Sequence, residues 1–440
     1  MKRYVMPVLV VMVLAALFSV LGVLAPVRYD GDVSGIDGAD TAFVAVCAAL
    51  VMLMTPALGF FYGGLVRKKN LLSVLVQSLA IFSLVSIVWV LWGYSLAFGS
   101  SIGGFVGDFS FLGLKGVGLA PEPLYAATIP ALLFLFFQLK FAAITPALII
   151  GAFAERVRFS ALLVFIVLWA TLIYAPVAHW VWGDGGWLKS MGALDFAGGT
   201  VVHIVAGFSA LAGAMVIGGR REPNGSRPNN VPFVILGAAL LWFGWFGFNG
   251  GSALAIDGIA VNALVVTNIA AAAAALSWMF VDKQTKGKFT ATGIAIGAVC
   301  GLVAITPAAG FVSAVPAIVI GLIAGMLSNF VANWRLERTK LDDTLDVFAC
   351  HGVSGVWGAF ATGLFASTAV NPAGADGLFF GNAGQLVIQG VAIVASALFA
   401  FVGSYLLFKL IEGTIGLRVE QEHEEKGLDI STHGEVAYEE

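Results

Sequence analysis

Long runs of apolar residues, separated by short polar segments, form the main pattern of the chain. A helix of about 20 apolar residues crosses the ~30 Å hydrocarbon core of a bilayer, so each run predicts a transmembrane helix. The pattern predicts eleven such helices, and therefore an all-α integral membrane protein. Their ranges are 41–63, 71–98, 125–150, 158–180, 200–219, 231–251, 258–280, 290–308, 313–333, 346–366 and 384–410.

The positions of Lys and Arg support this topology independently. Cytoplasmic loops of membrane proteins carry an excess of these residues. Clusters of cations follow every odd-numbered predicted span, from residues 67–69 after the first span to Arg418 near the C-terminus. The alternate loops hold only Arg28, Lys115 and Lys189. The C-terminal segment is therefore predicted to be cytoplasmic.

Two terminal segments lie outside the predicted eleven-span domain of residues 41–410. In residues 1–25, Lys2 and Arg3 precede an apolar run and small residues, which is the layout of a signal peptide. Retention of this segment as a further span is the alternative. Residues 411–440 are acidic and polar, which is typical of a solvated, partly disordered tail.

The composition narrows the class of protein further. Hydrophobic residues make up 59% and charged residues 11% of the 440 residues, which excludes a soluble globular protein. Cys47, Cys300 and Cys350 all fall in predicted spans and indicate neither a disulfide framework nor a metal site. The net charge of −3 points to no particular partner. We expect no cofactor and no nucleic-acid partner.

A repeated pattern relates two of the predicted spans. His-x-Val-x-Gly occurs at 203–207 and again at 351–355, and an acid, Asp195 or Asp343, precedes each histidine by eight residues. Two halves of five spans each must lie inverted in the membrane, because five is odd. Inverted repeats place their shared site near the bilayer midplane, which would bring His203 and His351 together. Titratable side chains at that depth are functional candidates.

Other side chains in the spans allow more than one role. Phe137 and Phe141 lie one helical turn apart on one face, a spacing that most often marks ordinary core packing. Lys140 lies between them and requires a partner or a water path at that depth. Phe141 and Trp182 at an outer mouth could hold a small cation by its attraction to ring faces, worth about 0.5–2 kcal/mol. Asp195 could supply a negative field or cap a helix.

Six short motifs carry a resemblance to a known family. They are Phe-Tyr-Gly-Gly at 61–64, Phe-Gln-Leu-Lys-Phe-Ala-Ala-Ile-Thr-Pro at 137–146, Ala-Phe-Ala-Glu-Arg at 152–156, Asp-Phe-Ala-Gly-Gly-Thr-Val-Val-His at 195–203, Trp-Phe-Gly-Phe-Asn-Gly-Gly-Ser at 245–252 and His-Gly-Val-Ser-Gly at 351–355. With these motifs the chain resembles the ammonium transporters of the Amt/Rh family, of the bacterial Amt type. The likeness runs from about Asp40 to the C-terminus.

The resemblance implies a role for each matching residue. Four belong to recruitment of the substrate: an external ammonium site formed by Phe141, Trp182 and Ser252, and Asp195 as the acid that recruits or deprotonates the cation. The others belong to the passage. They are a stacked phenyl gate, formed by Phe248 with either Phe137 or Phe141, and a twin-histidine pore of His203 and His351. The expected activity is uptake of ammonium, with methylammonium as an analogue, across the inner cell membrane. No enzymatic activity is expected.

The resemblance also implies an assembly and partners. It predicts a homotrimer with one pore per subunit, embedded in the lipid bilayer. The patterns Gly-Leu-Arg-Val at 416–419 and Gly-Leu-Asp at 427–429 resemble a regulatory tail that contacts the cytoplasmic end of the pore and a PII signalling protein. Arg418 and Asp429 are the residues of this tail that match.

Two hypotheses from other classes stay open. The first is an ammonium sensor that signals through its tail and carries little flux. The second is a membrane redox protein in which His203 and His351 bind haem, although no further paired histidines occur in the spans.

Overall fold

The structure is a computed structural model that describes residues 2–24, 31–221 and 227–438. Its main feature is a bundle of long helices. In chain order they are α1 Lys2–Leu24, α2 Gly38–Leu65, α3 Lys68–Phe98, α4 Ala131–Phe153, α5 Phe159–Met191, α6 Gly199–Ile217, α7 Val231–Ala253, α8 Gly258–Lys286, α9 Ala291–Ile305, α10 Ala314–Arg338, α11 Phe348–Val353 continued by Ser354–Phe365, α12 Ala383–Thr414 and the short α13 Gln421–Lys426.

Nine helices of the described residues are long and apolar enough to cross a membrane, namely α2 to α8, α10 and α12. The prediction of an all-α membrane protein is therefore confirmed. The two other predicted spans, 290–308 and 346–366, coincide with the shorter α9 and α11. The count of eleven stays a prediction.

One predicted boundary is wrong. The span predicted from residue 125 begins at Ala131, because residues 126–130 form a strand. This strand, β4 (Ala126–Pro130), pairs antiparallel with β3 (Pro121–Glu122). Pro130 favours extended backbone in the residue before it, so the helix starts only after it. A second small pair, β1 (Ser101–Ile102) and β2 (Val106–Gly107), lies in the same connection between α3 and α4.

Polar side chains set the first turns of several helices. Asp37 accepts hydrogen bonds from two backbone N–H groups at the start of α2. Asn230, Asp257 and Thr290 do the same for α7, α8 and α9, with one N–H group each. Such caps satisfy donors that have no partner within the helix. These side chains therefore fix where α2, α7, α8 and α9 begin.

Charged side chains connect several loops at one end of the bundle, which we call the basic face. Glu155 binds Arg67 at 2.7 Å and Arg220 at 3.5 Å, and Arg220 also binds Asp342 at 2.9 Å. Arg156 is fully buried and donates to two carbonyl groups of neighbouring loops, those of Gly218 and Asp342, and to two of its own segment. The cations that follow the first, third and fifth predicted spans therefore meet at one end, as the topology requires.

The C-terminal segment packs against the basic face. The backbone of Val157 bridges to Arg418, and Arg418 pairs with the buried Glu424 at 2.8 Å. Asp429 is buried and accepts hydrogen bonds from the first turns of α3, at Leu72 and Ser73. The expectation of a solvated, partly disordered tail is wrong for residues 415–438, because Glu420, Glu424 and Asp429 have partners on the core.

Two further expectations concern single features. Residues 2–24 form α1, and its side chains from Val11 to Val20 are exposed, as either a leader or a further span would be. Residue 25, where cleavage is expected, lies outside the described residues. Lys140 is buried, and its partners are aromatic: Nζ lies 3.5 Å from the ring centroid of Phe136 and 5.2 Å from that of Phe82.

Candidate functional site

Two buried imidazoles lie in contact at the centre of the bundle. Nδ1 of His351 lies 3.3 Å from Nδ1 of His203, and the rings stack with their centroids 5.4 Å apart. A neutral imidazole has one donor and one acceptor nitrogen, so one ring donates from Nδ1 and the other accepts. The sequence repeat therefore predicted this pairing correctly. Nε2 of His203 is buried and has no hydrogen-bond partner among the described residues.

Each histidine lies in a segment of wider helical turns. These π-helical segments are Gly199–Ile204 in α6 and Phe348–Val353 in α11. A similar segment, Phe246–Gly250, carries Phe248 in α7, and others lie away from the histidines at Trp89–Gly93, Ala170–Tyr174 and Asp429–His433. Segments of this kind occur often at functional sites, because the additional residue in the turn re-aims a side chain. Sequence periodicity alone gives no sign of them.

The two acids of the repeat occupy equivalent structural positions. Asp195 accepts from the backbone N–H groups of residues 198–201, at 2.6 to 3.3 Å, and from the Thr200 hydroxyl. Asp343 accepts from the N–H groups of Val347 and Phe348, at 3.0 and 2.7 Å. Both acids therefore cap the helix that carries a central histidine. Burial raises the pKa of Asp343, against the lowering effect of Arg335 and these two amides.

An aromatic column lies beside the histidines. The Trp245 ring stacks on His203 with centroids 5.4 Å apart, and the Phe248 ring lies 6.0 Å from the same imidazole. Phe141 contacts Phe248 at 4.3 Å, so Phe141 and not Phe137 forms the closest phenyl pair with it. Phe137 instead lies 5.0 Å from Phe141 and packs against Gly251.

The three residues of the predicted external site line a cavity of about 210 Å³ on the far side of this phenyl pair. It contains Phe141, Trp182 and Ser252, as the resemblance implies. The Trp182 indole N–H donates to the backbone oxygen of Asp195 at 2.9 Å, which ties the cavity wall to the acid. Ser252 donates its hydroxyl hydrogen to the Phe248 carbonyl at 2.8 Å.

Sequence reasoning missed three polar residues of this cavity. Tyr125, Gln138 and Lys189 also line it. Nζ of Lys189 donates to the Trp182 carbonyl at 3.2 Å and lies 5.5 Å from the Tyr125 ring centroid. Gln138 was visible inside its motif, whereas Lys189 follows a loop whose path the sequence does not predict.

A second cavity lies at the histidines and is very small. Its volume is about 10 Å³, which is near the least space that holds one water molecule. Apolar side chains surround the two imidazoles there. The lining residues are Met54, Leu58, Ile144, Leu148, Val202, His203, Leu241, Trp245, Phe248, Val299 and His351. Because Phe141 lines the larger cavity and Phe248 the smaller, their contact separates the two spaces.

These features define a class: a polytopic helical membrane protein with a narrow central passage, lined by apolar groups and two stacked histidines. A model of the Ammonium Transporter Family matches residues 42–438, and the chain belongs to that family.

Curated relatives and solved structures agree with this assignment. The chain is 51% identical to the ammonium transporter of Bacillus subtilis, over 91% of this chain and 98% of that protein. It is 46% identical to the ammonium transporter Amt1 of Archaeoglobus fulgidus, over 91% and 99%. The crystal structure of Saccharomyces cerevisiae Mep2 matches with a TM-score of 0.85 at 36% identity, over 92% and 93% of the two chains. The structure of a Sensor Amt Protein matches with a TM-score of 0.82 at 31% identity, over 90% and 98%.

Proposed function

We propose that the chain conducts ammonium across the inner cell membrane. NH4+ binds in the cavity of Phe141, Trp182 and Ser252, gives up a proton, and crosses as NH3 past the two histidines. The single observation that carries this proposal is the contact of the two imidazoles in a passage otherwise lined by apolar groups.

The outer cavity suits a small cation. Phe141 and Trp182 meet edge to face at 5.9 Å and offer ring faces, which attract cations by about 0.5–2 kcal/mol each. Ser252 and Gln138 add oxygen atoms that can accept hydrogen bonds from N–H groups. Oε1 of Gln138 is buried and has no partner among the described residues, so it is available for a donor.

The inner passage suits the neutral molecule. Moving a charge into a space without polar groups to replace water is very costly, whereas NH3 loses only a few hydrogen bonds. Phe141 and Phe248 must move apart for any solute to pass, because their rings are in contact. The paired histidines then offer one donor and one acceptor edge to NH3.

Asp195 supports the cation site indirectly in this mechanism. Both of its oxygens already accept hydrogen bonds from the start of α6, so taking a proton there would break those bonds. We assign it two tasks: it caps α6, and its negative charge favours the cation in the cavity whose Trp182 wall it holds. The proton of NH4+ therefore passes to water at the outer cavity and not to Asp195.

Further parts of the proposal follow the family resemblance. They are a homotrimer with a pore in each subunit, a cytoplasmic C-terminus, cleavage of residues 1–25, and contact of the tail with a PII signalling protein. The docking of Arg418 and Asp429 on the basic face supports a tail that reports on, or acts on, the core.

A sensor with little flux is the second candidate. The packed tail and the likeness to a Sensor Amt Protein favour it. A haem protein is disfavoured, because a cavity of about 10 Å³ between contacting imidazoles leaves no room for a macrocycle. Uptake of labelled methylammonium into proteoliposomes separates transporter from sensor, since a sensor would carry little flux.

The decisive experiment measures ammonium-evoked currents in proteoliposomes across pH. Electrogenic passage gives a current, whereas neutral NH3 flux gives only a change in internal pH. His203→Ala and His351→Ala should change rate or selectivity by at least about tenfold, because each removes a polar edge worth ~1.5 kcal/mol from the passage. His423→Ala, on the exposed α13, is the matched control. Unchanged transport in both pore variants would overturn the assigned role.

A further inference from the structure

We propose that a pocket between the C-terminal tail and the start of α3 binds a phosphate-bearing anion. The pocket has a volume of about 550 Å³, within the range of small-molecule sites. It lies on the basic face, apart from the central passage. Its wall is formed by two segments of the chain, residues 67–69 and residues 426–438.

The charges of the pocket favour an anion. Arg67, Lys68, Lys69 and Lys426 line it, with the single carboxylate of Asp429. Arg67 already pairs with Glu155, so the three lysines supply the charge for a ligand. That carboxylate is directed to the N–H groups of α3 and not to the cations. Within the described part of the chain, none of the three lysines forms an ion pair.

The contacts of the lysines leave their charge uncompensated. Lys69 donates from Nζ to the backbone oxygen of Glu425, which is a neutral acceptor. Nζ of Lys68 lies 5.5 Å from the ring centroid of Tyr438. Lys426 is exposed at the pocket edge. Grouping like charges in a concavity raises the potential there, and a multiply charged anion offsets that repulsion.

The remaining wall indicates what kind of anion fits. Ile430, Val436, Ala437 and Tyr438 give the pocket an apolar and aromatic side opposite the cations. A ligand with a phosphate group and a less polar body matches both sides. Two sources have this chemistry: a soluble nucleoside triphosphate, and the headgroup of an anionic phospholipid at the membrane surface.

Binding there would fasten the tail to the core. The two walls already meet through Leu428, whose N–H donates to Asn70 at 2.8 Å, and through Lys69. An anion that bridges Lys68 on the core to Lys426 on the tail adds a further link. Occupancy of the pocket and docking of the tail are therefore coupled, and this holds whatever solute the central passage conducts.

The test uses the full chain in nanodiscs. In discs of phosphatidylcholine, isothermal titration with ATP and with inorganic pyrophosphate reports the soluble source. In discs that contain phosphatidylglycerol, the rise in apparent Tm relative to phosphatidylcholine discs reports the lipid source. Lys68→Gln and Lys426→Gln are the pocket variants. Lys288→Gln removes an exposed charge outside the pocket and is the matched control.

We expect binding in one of the two arms. Each pocket variant should raise the Kd of the titrated anion roughly tenfold, or reduce the Tm rise in phosphatidylglycerol discs, because each lysine gives one charge-assisted hydrogen bond. The control variant should leave both quantities unchanged. No response to ATP, pyrophosphate or phosphatidylglycerol would overturn the proposal. An equal loss in Lys288→Gln would also overturn it, since general surface charge would then suffice. Binding that appears only in Glu439→Gln/Glu440→Gln would assign the pocket to the chain's own acidic end instead.

Discussion

Gly207 and Gly352 form a close backbone crossing beside the two histidines. A Cβ added at Gly207 would lie 2.2 Å from the amide nitrogen of Gly352. Its counterpart in the repeat, Gly355, packs on the other half: a Cβ there would lie 3.1 Å from Cβ of His203. The glycine four residues after each histidine thus lets the opposite histidine segment approach, which explains the repeated His-x-Val-x-Gly pattern.

We predict that Gly207→Ala disrupts this crossing. The backbone of Gly352 cannot move away like a flexible side chain, so overpacking of at least about 2 kcal/mol is expected. The measurement is apparent Tm in detergent, together with methylammonium uptake. Gly390→Ala in α12 is the control, because a Cβ there meets no atom within 4 Å. A Gly207→Ala protein as stable and active as Gly390→Ala would contradict the assigned packing.

Two substitutions of Asp195 separate the effect of its hydrogen bonds to the start of α6 from the effect of its charge. Asp195→Ala leaves several buried N–H groups of α6 without a partner, at a cost of about 3 kcal/mol or more. Asp195→Asn keeps one oxygen for the cap and removes the charge, so we expect a folded protein whose transport falls tenfold or more. Asp37→Ala removes an exposed cap and should cost only about 1 kcal/mol. Normal transport by Asp195→Asn would exclude a role for the charge.

Lys189 is predicted to weaken ammonium binding at the outer cavity. It places a positive charge on a wall of that cavity, and two unit charges about 4 Å apart repel by about 1 kcal/mol even in water. Lys189→Gln should therefore lower the ammonium concentration for half-maximal current, several-fold at low ionic strength and less at high salt. Lys115 is exposed in the connection between α3 and α4, and Lys115→Gln should leave this concentration unchanged.

The Arg220–Asp342 pair predicts a pH dependence of stability. Burial alone would raise the pKa of Asp342, but hydrogen bonds from Arg220 and the charges of Arg156 and Arg220 lower the pKa overall, below its ordinary value in an unfolded chain. The ionised group therefore stabilises the fold above that unfolded value, and the contribution is lost as the pH falls through the lower folded pKa. We expect Asp342→Asn to reduce the free energy of unfolding at pH 7 by about 2 kcal/mol, which is measured as a lower Tm.

The same difference should shrink below about pH 4, as first the unfolded chain and then, at lower pH, the folded chain takes up a proton on this carboxyl. Thermal unfolding of both proteins between pH 3 and pH 7 measures it. Glu337→Gln, at an exposed position of α10, controls for loss of a single acid. A Tm difference that stays constant over this range would show that the charge of Asp342 contributes nothing.

The sequence was sufficient for the features that depend on periodicity and charge. Apolar runs predicted the nine long helices, and the shared spacing of Asp195 with His203 and of Asp343 with His351 predicted the contact of the imidazoles. Each of these rests on a local pattern that a membrane constrains strongly.

Other features depend on contacts between distant segments, which no local pattern encodes. Whether Phe137 or Phe141 pairs with Phe248 depends on how α4 and α7 rotate against each other. Lys189 reaches the outer cavity only because a loop folds over it. The composition of the tail misled for the same reason. Its acidic residues suggest a solvated segment, but Glu424 accepts from the N–H group of Arg221 and Asp429 from that of Ser73, both more than 200 residues earlier in the sequence.

Asp429 is predicted to hold the tail on the core. Its carboxylate accepts from the N–H groups of Leu72 and Ser73, at 3.1 and 2.7 Å, where the positive end of the α3 dipole favours a negative charge. Asp429→Ala should cost about 0.5–2 kcal/mol and release the segment that follows. Hydrogen exchange of the amides of residues 431–438 measures this release directly. Glu422→Gln, exposed on α13, is the control for charge. Equal protection in Asp429→Ala and Glu422→Gln would mean that other contacts, such as the Leu428 bond to Asn70, hold the tail by themselves.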